Sequence, residues 1–261
     1  METSDDAALR ALAEALESAR ARARPIEPPP ALAGMTLARA YLVQDALVGV
    51  RGAAGAQLAG WKLGITSPVK QRVMGIDHPL FGRIFAAGER AAGDEVRHAD
   101  HIAPRVEPEL AFGLARPLEE SMDERGLAAA VAWIAPALEI TDSRFHARQR
   151  TAVELVADNT SSSAYVIGPR STAPFAAAFG AYETELVRNG DVVARGSTAD
   201  VLGDPIRALA ALAAHVASRG LRTAAGQIVL SGAITDAVAV FPGDILEARL
   251  RGLGEVEVRF V

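Results

Sequence analysis

Cysteine is absent from the 261 residues, which removes disulfides, thiolate metal sites and a cysteine nucleophile. There is no apolar run long enough to span a bilayer. The N-terminus METSDDAALRALAEALESARARAR carries acids and no hydrophobic signal core, so a cytoplasmic protein without a membrane partner is expected. An excess of positive charge is missing too: 27 Lys and Arg stand against 32 Asp and Glu, a net charge of -5, which argues against a nucleic-acid surface. The chain has no G-x-S-x-G, no phosphate loop ending in Gly-Lys-Ser/Thr and no G-x-G-x-x-G after a strand, so nucleophile-elbow hydrolysis and nucleotide binding lack support. The histidines are His78, His98, His101, His146 and His215, and no pair has helical metal-ligand spacing with a supporting glutamate. Each reads as a surface or capping residue.

What is present is a globular chain, 50% apolar, able to bury a large core. Helical periodicity predicts an amphipathic helix over about 5–24 and a second over about 36–50, separated by the breaker PIEPPPALAG. The run QLAGWKLGITS reads as a strand ending at Ser67, an N-cap, with Pro68 as first helical residue and Gly75 as the stop of a short helix over 68–74. SMDERGLAAAVAWIAPALEIT, with Ser121 and Glu124 at capping-box spacing, predicts a helix to about Ile134 and then a strand around Leu138. YETELVRNGDVVARG turns at Asn189-Gly190, a hairpin signal. A helix capped by Asp204 and closed by Gly220 follows, and GQIVLSGAIT, DAVAVFPGDILEARLRG and GEVEVRFV read as three more strands. The plan is α+β: a helical N-terminal part over 1–60, then a body over 61–261 built on a mixed, mainly antiparallel curved sheet.

Within this plan, PRVEPELAFGL puts Glu107 and Glu109 one residue apart in an otherwise apolar run. A strand would send Val106, Pro108, Leu110 and Phe112 to one face and Arg105, Glu107, Glu109, Ala111 and Gly113 to the other, making the second face the wall of a polar cavity. Glu139, between Leu138 and Ile140, is directed away from its apolar neighbours in the same manner. Two readings stand for the three acids: a solvated sheet face, or an oxygen-only site for Mg2+ with Mn2+ as the substitute. Three carboxylates and a dication leave a residual negative charge, so an anionic substrate would need a cation close by. Lys62, in AGWKLGIT, is the candidate; it either snorkels over apolar surface or forms an anion site with the helix start at Ser67.

The motifs WKLGITS, MGIDHPLFG, PRVEPELAF, PALEITDSR, VADNTSS and GLGEVEVRFV, in this order from about residue 36 to the C-terminus, resemble the 2-keto-4-pentenoate hydratase and 4-oxalocrotonate decarboxylase family of the fumarylacetoacetate hydrolase superfamily. The resemblance implies a β-sheet roll around a central helix, with Glu107, Glu109 and Glu139 as Mg2+ ligands and Lys62 as the active-site lysine. It also implies Asp77 as an acid near the substrate, and Asn159 and Ser161 in the loop beside the pocket; Thr66 and Ser67, at the helix start, join them as expected substrate-binding residues. The implied activity is a lyase acting on short unsaturated 2-oxo acids through a metal-stabilised dienolate. Lys70, Met74-Gly75 and GAITDAVAV resemble the decarboxylase branch, which removes CO2 from 2-oxohex-3-enedioate, more than the branch that hydrates 2-hydroxypenta-2,4-dienoate. Pro108 between the glutamates and Asp204 before Pro205 depart from the family pattern. A second carboxylate on the substrate would need another cation, for which Arg72, Arg83, Arg105 and Arg144 are the candidates. A homo-oligomer, alone or with a sister hydratase or decarboxylase, is the expected assembly. A catalytically silent scaffold subunit and a carbon-carbon bond hydrolase are the competing readings; the retained acids oppose the first, and the lack of a placed histidine opposes the second.

Overall fold

The computed structural model describes residues 4–146, 150–172, 175, 179–180 and 182–261. In chain order the elements are α1 (Ser4–Ala21), α2 (Leu37–Ala53), β1 (Leu58–Gly64), α3 (Pro68–Met74), β2 (Leu80–Phe85), β3 (Glu89–Arg90), β4 (Glu95–Val96) and β5 (Arg105–Leu114). There follow α4 (Glu124–Ala128), β6 (Val131–Thr141), α5 (Ala152–Ala157), β7 (Ser162–Ile167), β8 (Ser171–Thr172), β9 (Glu183–Arg188), β10 (Asp191–Ser197) and α6 (Ile206–Ser218). The last strands are β11 (Ile228–Leu230), β12 (Val238–Ala239), β13 (Ile245–Leu250) and β14 (Gly254–Phe260). The larger sheet runs β2-β1-β11-β5-β6-β7-β3, with β12 joined to β5 and β8 to β6; the smaller runs β10-β9-β13-β14-β4. Among the strands of the described residues, only the pairs β1/β11, β4/β14 and β3/β7 are parallel, so the sheets are mixed and mainly antiparallel as expected.

Alternation along the strands divides the large sheet into two unlike faces. Trp61 and Leu63 on β1, with Val106, Leu110 and Phe112 on β5, enter the main core, which also takes Leu16 of α1, Leu47 of α2 and Leu209 of α6. The N-terminal helices therefore share a core with the sheet, and the boundary drawn at 60/61 falls inside β1. Lys62, Glu107, Glu109 and Glu139 take the opposite face. Lys62 and Glu139 lie on strands separated by β11 and β5, about 14 Å apart in a flat sheet at the usual strand spacing. Their charged atoms are 2.7 Å apart. The sheet is therefore curled strongly toward that face.

Local chemistry accounts for most boundaries. Thr36 caps α2 by accepting from Arg39 N at 3.3 Å, and Gly75 ends α3 in the left-handed region at φ 68°. Asn189 and Gly190 both have positive φ (54° and 90°), which the tight β9–β10 hairpin requires. Asp204 accepts from Ile206 N at 2.9 Å, capping α6 as expected. Two expectations fail. The helix after Ser121 stops at Ala128, and its cap is Asp123, whose Oδ1 accepts from Gly126 N at 2.8 Å. The alanine-rich run beyond it becomes β6, because pairing with β5 along its length outweighs helix propensity. DAVAVFPGDILEARLRG is also two strands: a turn at Phe241–Asp244, closed by Asp244 Oδ2 accepting from Phe241 N at 2.8 Å, sends β12 to the large sheet and β13 to the small one.

The connection from α5 to β7 contains an unusual turn. Asn159, Thr160 and Ser161 all adopt left-handed backbone conformations, with φ 50°, 49° and 58°, each costing about 1–2 kcal/mol for a residue with a Cβ. Buried polar partners hold it. Arg144 pairs with Asp158 at 2.5 Å and donates from Nη1 to the carbonyls of Asp142 and Ser162, both at 2.9 Å. Asp158 in turn accepts from Ser143 Oγ at 3.0 Å and Ser161 Oγ at 3.3 Å. Replacing Arg144 by Met is expected to cost about 3–5 kcal/mol, because Asp158 is left buried without its counter-charge. Urea unfolding measures this; a loss below about 1 kcal/mol would mean that the turn holds without the ion pair.

Candidate active site

Glu107 faces Glu139 directly across the β5–β6 ladder, and Glu109 faces Ala137, whose small side chain leaves room for the longer acid. One carboxylate oxygen from each of the three glutamates lies within 4.8 Å of the others. Glu109 and Glu139 are fully buried, and Glu107 is half-buried. Gly232 N donates to Glu109 Oε2 at 2.8 Å, fixing one end of the cluster to the loop after β11. Among the described residues, Glu109 Oε1 and Glu139 Oε1 accept no hydrogen bond. Buried carboxylate oxygens without partners are costly, and three of these side chains converging is the donor set that suits a hard divalent cation. The solvated-face reading does not survive this burial.

Lys62 is 2% exposed, so it does not snorkel. Its Nζ sits 2.7 Å from Glu139 Oε2 and donates to Thr160 O at 3.2 Å, the carbonyl that the left-handed turn delivers. Gly82, opposite Lys62 in the β1–β2 ladder, makes that approach possible, since a Cβ there would lie 2.2 Å from Thr160 Oγ1. Burial opposes the charge on Lys62, but Glu139, Glu107 and Glu109 outweigh it and raise its pKa, so it is an ammonium. Burial pushes Glu109 well above the ordinary carboxylate range, with Glu139 adding to the effect. Burial likewise raises Glu139 to about 7, even against the stabilising charge of Lys62.

Above the cluster lies a cavity of about 300 Å³ reached by Lys62, Glu107, Thr66, Ser67, Thr160 and Ser161. Thr66 is buried, and Gly232 stands where a Cβ would strike it at 2.5 Å. Two expected site residues are placed elsewhere. Asp77 is exposed on the turn after α3, beyond the Gly75 stop, and does not line the cavity. Asn159 is buried with its amide committed to the backbone of Arg83, accepting from the N–H at 2.7 Å and donating to the carbonyl at 2.8 Å. It serves as a clamp between the turn and β2. The face beyond the acids also differs from the expected cavity wall: Ala111 packs with Ile84, Tyr165 and Leu230, and Gly113 is covered by the Trp133 indole, 2.0 Å from where a Cβ would be.

Of the four arginines proposed for a distal carboxylate, only Arg105 lines the cavity. Arg144 is spent on Asp158, Arg83 stacks over Trp61 at 3.6 Å, and Arg72 is exposed outside it. Arg150 and Thr160 line the cavity and went unnoticed in the sequence, although Thr151 and Glu154, at capping-box spacing, announce the start of α5 just beyond Arg150.

Residues 76–261 match the family described as "Fumarylacetoacetate (FAA) hydrolase C-terminal". The chain belongs to this family. Within it, the chain is 34% identical over 259 residues to 2-keto-4-pentenoate hydratase of Burkholderia vietnamiensis, covering 98% of this chain and 99% of that one. It is 35% identical to 4-oxalocrotonate decarboxylase of Pseudomonas putida, covering 87% and 86%. Among solved structures, 4-oxalocrotonate decarboxylase from Pseudomonas putida G7, complexed with magnesium and adipate, superposes with a TM-score of 0.93 at 31% identity over the whole of both chains. These relatives place the protein among the hydratases and decarboxylases of the family, and the curled mixed sheet with packed helices is the family's fold.

If the three glutamates share a divalent ion, Mg2+ at 100 times its Kd should stabilise the fold by about 2.7 kcal/mol, a rise of several degrees in Tm. Glu109→Ala is expected to remove that rise. A wild-type melting curve indifferent to Mg2+ would rule out a shared site.

Proposed function

We propose that the protein is a Mg2+-dependent lyase, with Mn2+ as a substitute, acting on short unsaturated 2-oxo acids, and that its reaction is decarboxylation of 2-oxohex-3-enedioate. The observation that carries the reading is the buried acid cluster with two unpartnered oxygens and a lysine ammonium inside it. Glu107, Glu109 and Glu139 would hold the ion, which when bound supplies positive charge that draws electron density from a 2-oxo acid. The decarboxylase lean is supported by the residues lining the cavity: Lys70, Met74, Ala233 and Ala237 all belong to the stretches that resemble that branch. The resemblance also supports a cytoplasmic homo-oligomer.

Lys62 has three N–H donors, and Glu139 and Thr160 O engage two of them. The third is left for the substrate. As an ammonium, Lys62 stabilises negative charge and holds a proton at Nζ ready to deliver. In decarboxylation the bond from the distal carboxylate to the chain breaks, CO2 leaves, and the electron pair passes along the conjugated carbons to the 2-oxo oxygen, where a proton ends. Thr66 and Ser161 line the cavity and would offer hydroxyls to that oxygen, while Met74, Leu80 and Leu155 give the cavity an apolar wall that would keep water from the carbon chain. Hydration of 2-hydroxypenta-2,4-dienoate is the second reading, supported by a hydratase relative at 34% identity over 98% of the chain and by the hydroxyls of Thr141, Thr160 and Ser161, which line the cavity.

Lys62→Met is expected to keep the fold yet lower turnover at least about 10²-fold, the low end for a positioned proton donor. Near-normal kinetics would reduce Lys62 to a structural counter-ion for Glu139. Given Mg2+ and 2-oxohex-3-enedioate, the protein should release CO2; given 2-hydroxypenta-2,4-dienoate, it should form 4-hydroxy-2-oxopentanoate slowly. Both reactions consume chromophores, so products are identified by mass, and rapid hydration without CO2 would establish the second reading.

A further inference from the structure

Arg105 and Arg150 line the same cavity as Lys62 and Glu107, and among the described residues neither has a carboxylate partner. Arg105 Nη2 donates to Ala237 O at 2.5 Å. The third cation of the outer cavity, Lys70, is already paired with Asp236 at 2.7 Å. Arg150 is half-buried, and burial holds its pKa below the ordinary arginine value; Asp158 and Glu154 oppose this, while Arg144 and Arg105 add to it. A half-buried guanidinium beside two others, with no acid in ion-pair contact among the described residues, can turn its donors to a carboxylate.

Position adds direction. Arg105 lies on the same face of β5 as Glu107, one same-face step or about 7 Å further out, and its partner across the ladder is Thr141, two residues beyond Glu139. Arg105, Thr141, Arg150 and Ser161 also line a second cavity of about 570 Å³ on their other side, with Phe145 and Phe241. The arginines thus stand in the wall at which a short ligand, anchored on the acid cluster, would end.

We propose that Arg150, assisted by Arg105, binds the second carboxylate of a 2-oxo dicarboxylate and so makes the protein select diacids over monoacids. This rests on the reading of the acid–lysine cluster as the seat of the 2-oxo acid end. Fork-shaped guanidinium donors suit a carboxylate, and a ligand with a methyl group there would leave both cations unpaired.

The test is calorimetric titration of the Mg2+-loaded protein with 2-oxoadipate and with 2-oxohexanoate, which differ only in a terminal carboxylate against a methyl group. Wild type should bind the diacid at least about tenfold more tightly, the scale of a charge-assisted hydrogen bond. Arg150→Gln should narrow the gap to under about threefold while leaving 2-oxohexanoate affinity and Tm unchanged, and Arg150→Lys should restore part of it. Arg105→Gln should act in the same direction. Binding of both ligands by wild type without a gap would overturn the diacid preference, and an Arg150→Gln variant that weakens both alike would overturn the assignment of Arg150; either result leaves the acid-cluster reading standing. Failure of wild type to bind either 2-oxo acid would overturn the acid-cluster reading, and this proposal with it.

Discussion

The contact between Lys62 and Glu139 is the interaction on which the geometry of the molecule depends. An ammonium placed in the interior has to find a counter-charge, and here that charge stands on a strand three positions away in the sheet. The two can meet only because the sheet curls strongly toward the face they share. β11 is brief, ending at Leu230, the residue opposite Lys62, so little strand stands between the lysine and the acids at the point where the charges must approach. Glu107 and Glu109 lie on the intervening strand and are drawn into the same space, which concentrates more negative charge than one lysine neutralises. The excess is what makes a divalent ion the natural complement of this cluster.

A second constraint is backbone shape. The left-handed run at Asn159–Ser161 is stable only because the Arg144–Asp158 pair, the Asn159 clamp on Arg83 and the missing Cβ of Gly82 leave it no better arrangement. In return it aims the Thr160 carbonyl at Lys62, fixing one of the lysine's donors and hence the direction of the rest. Side chains that look structural here, Asn159 and Arg144 among them, thereby set the orientation of the Lys62 ammonium without touching it.

Much of this was legible from residue order. Alternation along PRVEPELAF placed two acids on one face, the helix start at Ser67 and the stop at Gly75 were correct to the residue, and Glu139 emerged from its apolar neighbours. These are short-range signals, carried by caps, turns and period. The misreadings arose where partners distant in sequence decided the outcome. AVAWI reads as helix until β5 is beside it, and Asn159 looks like a ligand-binding amide until Arg83 occupies both of its polar atoms. Arg144 and Arg105 are equally plausible in a string of letters; only burial against Asp158 separates them. Asp77 follows a helix that ends where expected, yet nothing in its neighbours says which way the following turn faces.

The position of β11 in the sheet bears on when the site comes into being. The strand that sits between the lysine-bearing β1 and the acid-bearing β5, together with the Gly232 N–H that fixes Glu109, lies in the last seventh of the sequence. On the ribosome, the acids and the lysine are made early and must wait, unjoined, until this segment leaves the exit tunnel. Long-range closure of this kind is slow, and it leaves the carboxylates exposed and mutually repelling in the unfinished chain. If the three glutamates hold an ion, its capture follows this closure, and a nascent chain truncated before residue 228 would carry every acid of the cluster and lack the N–H that fixes Glu109.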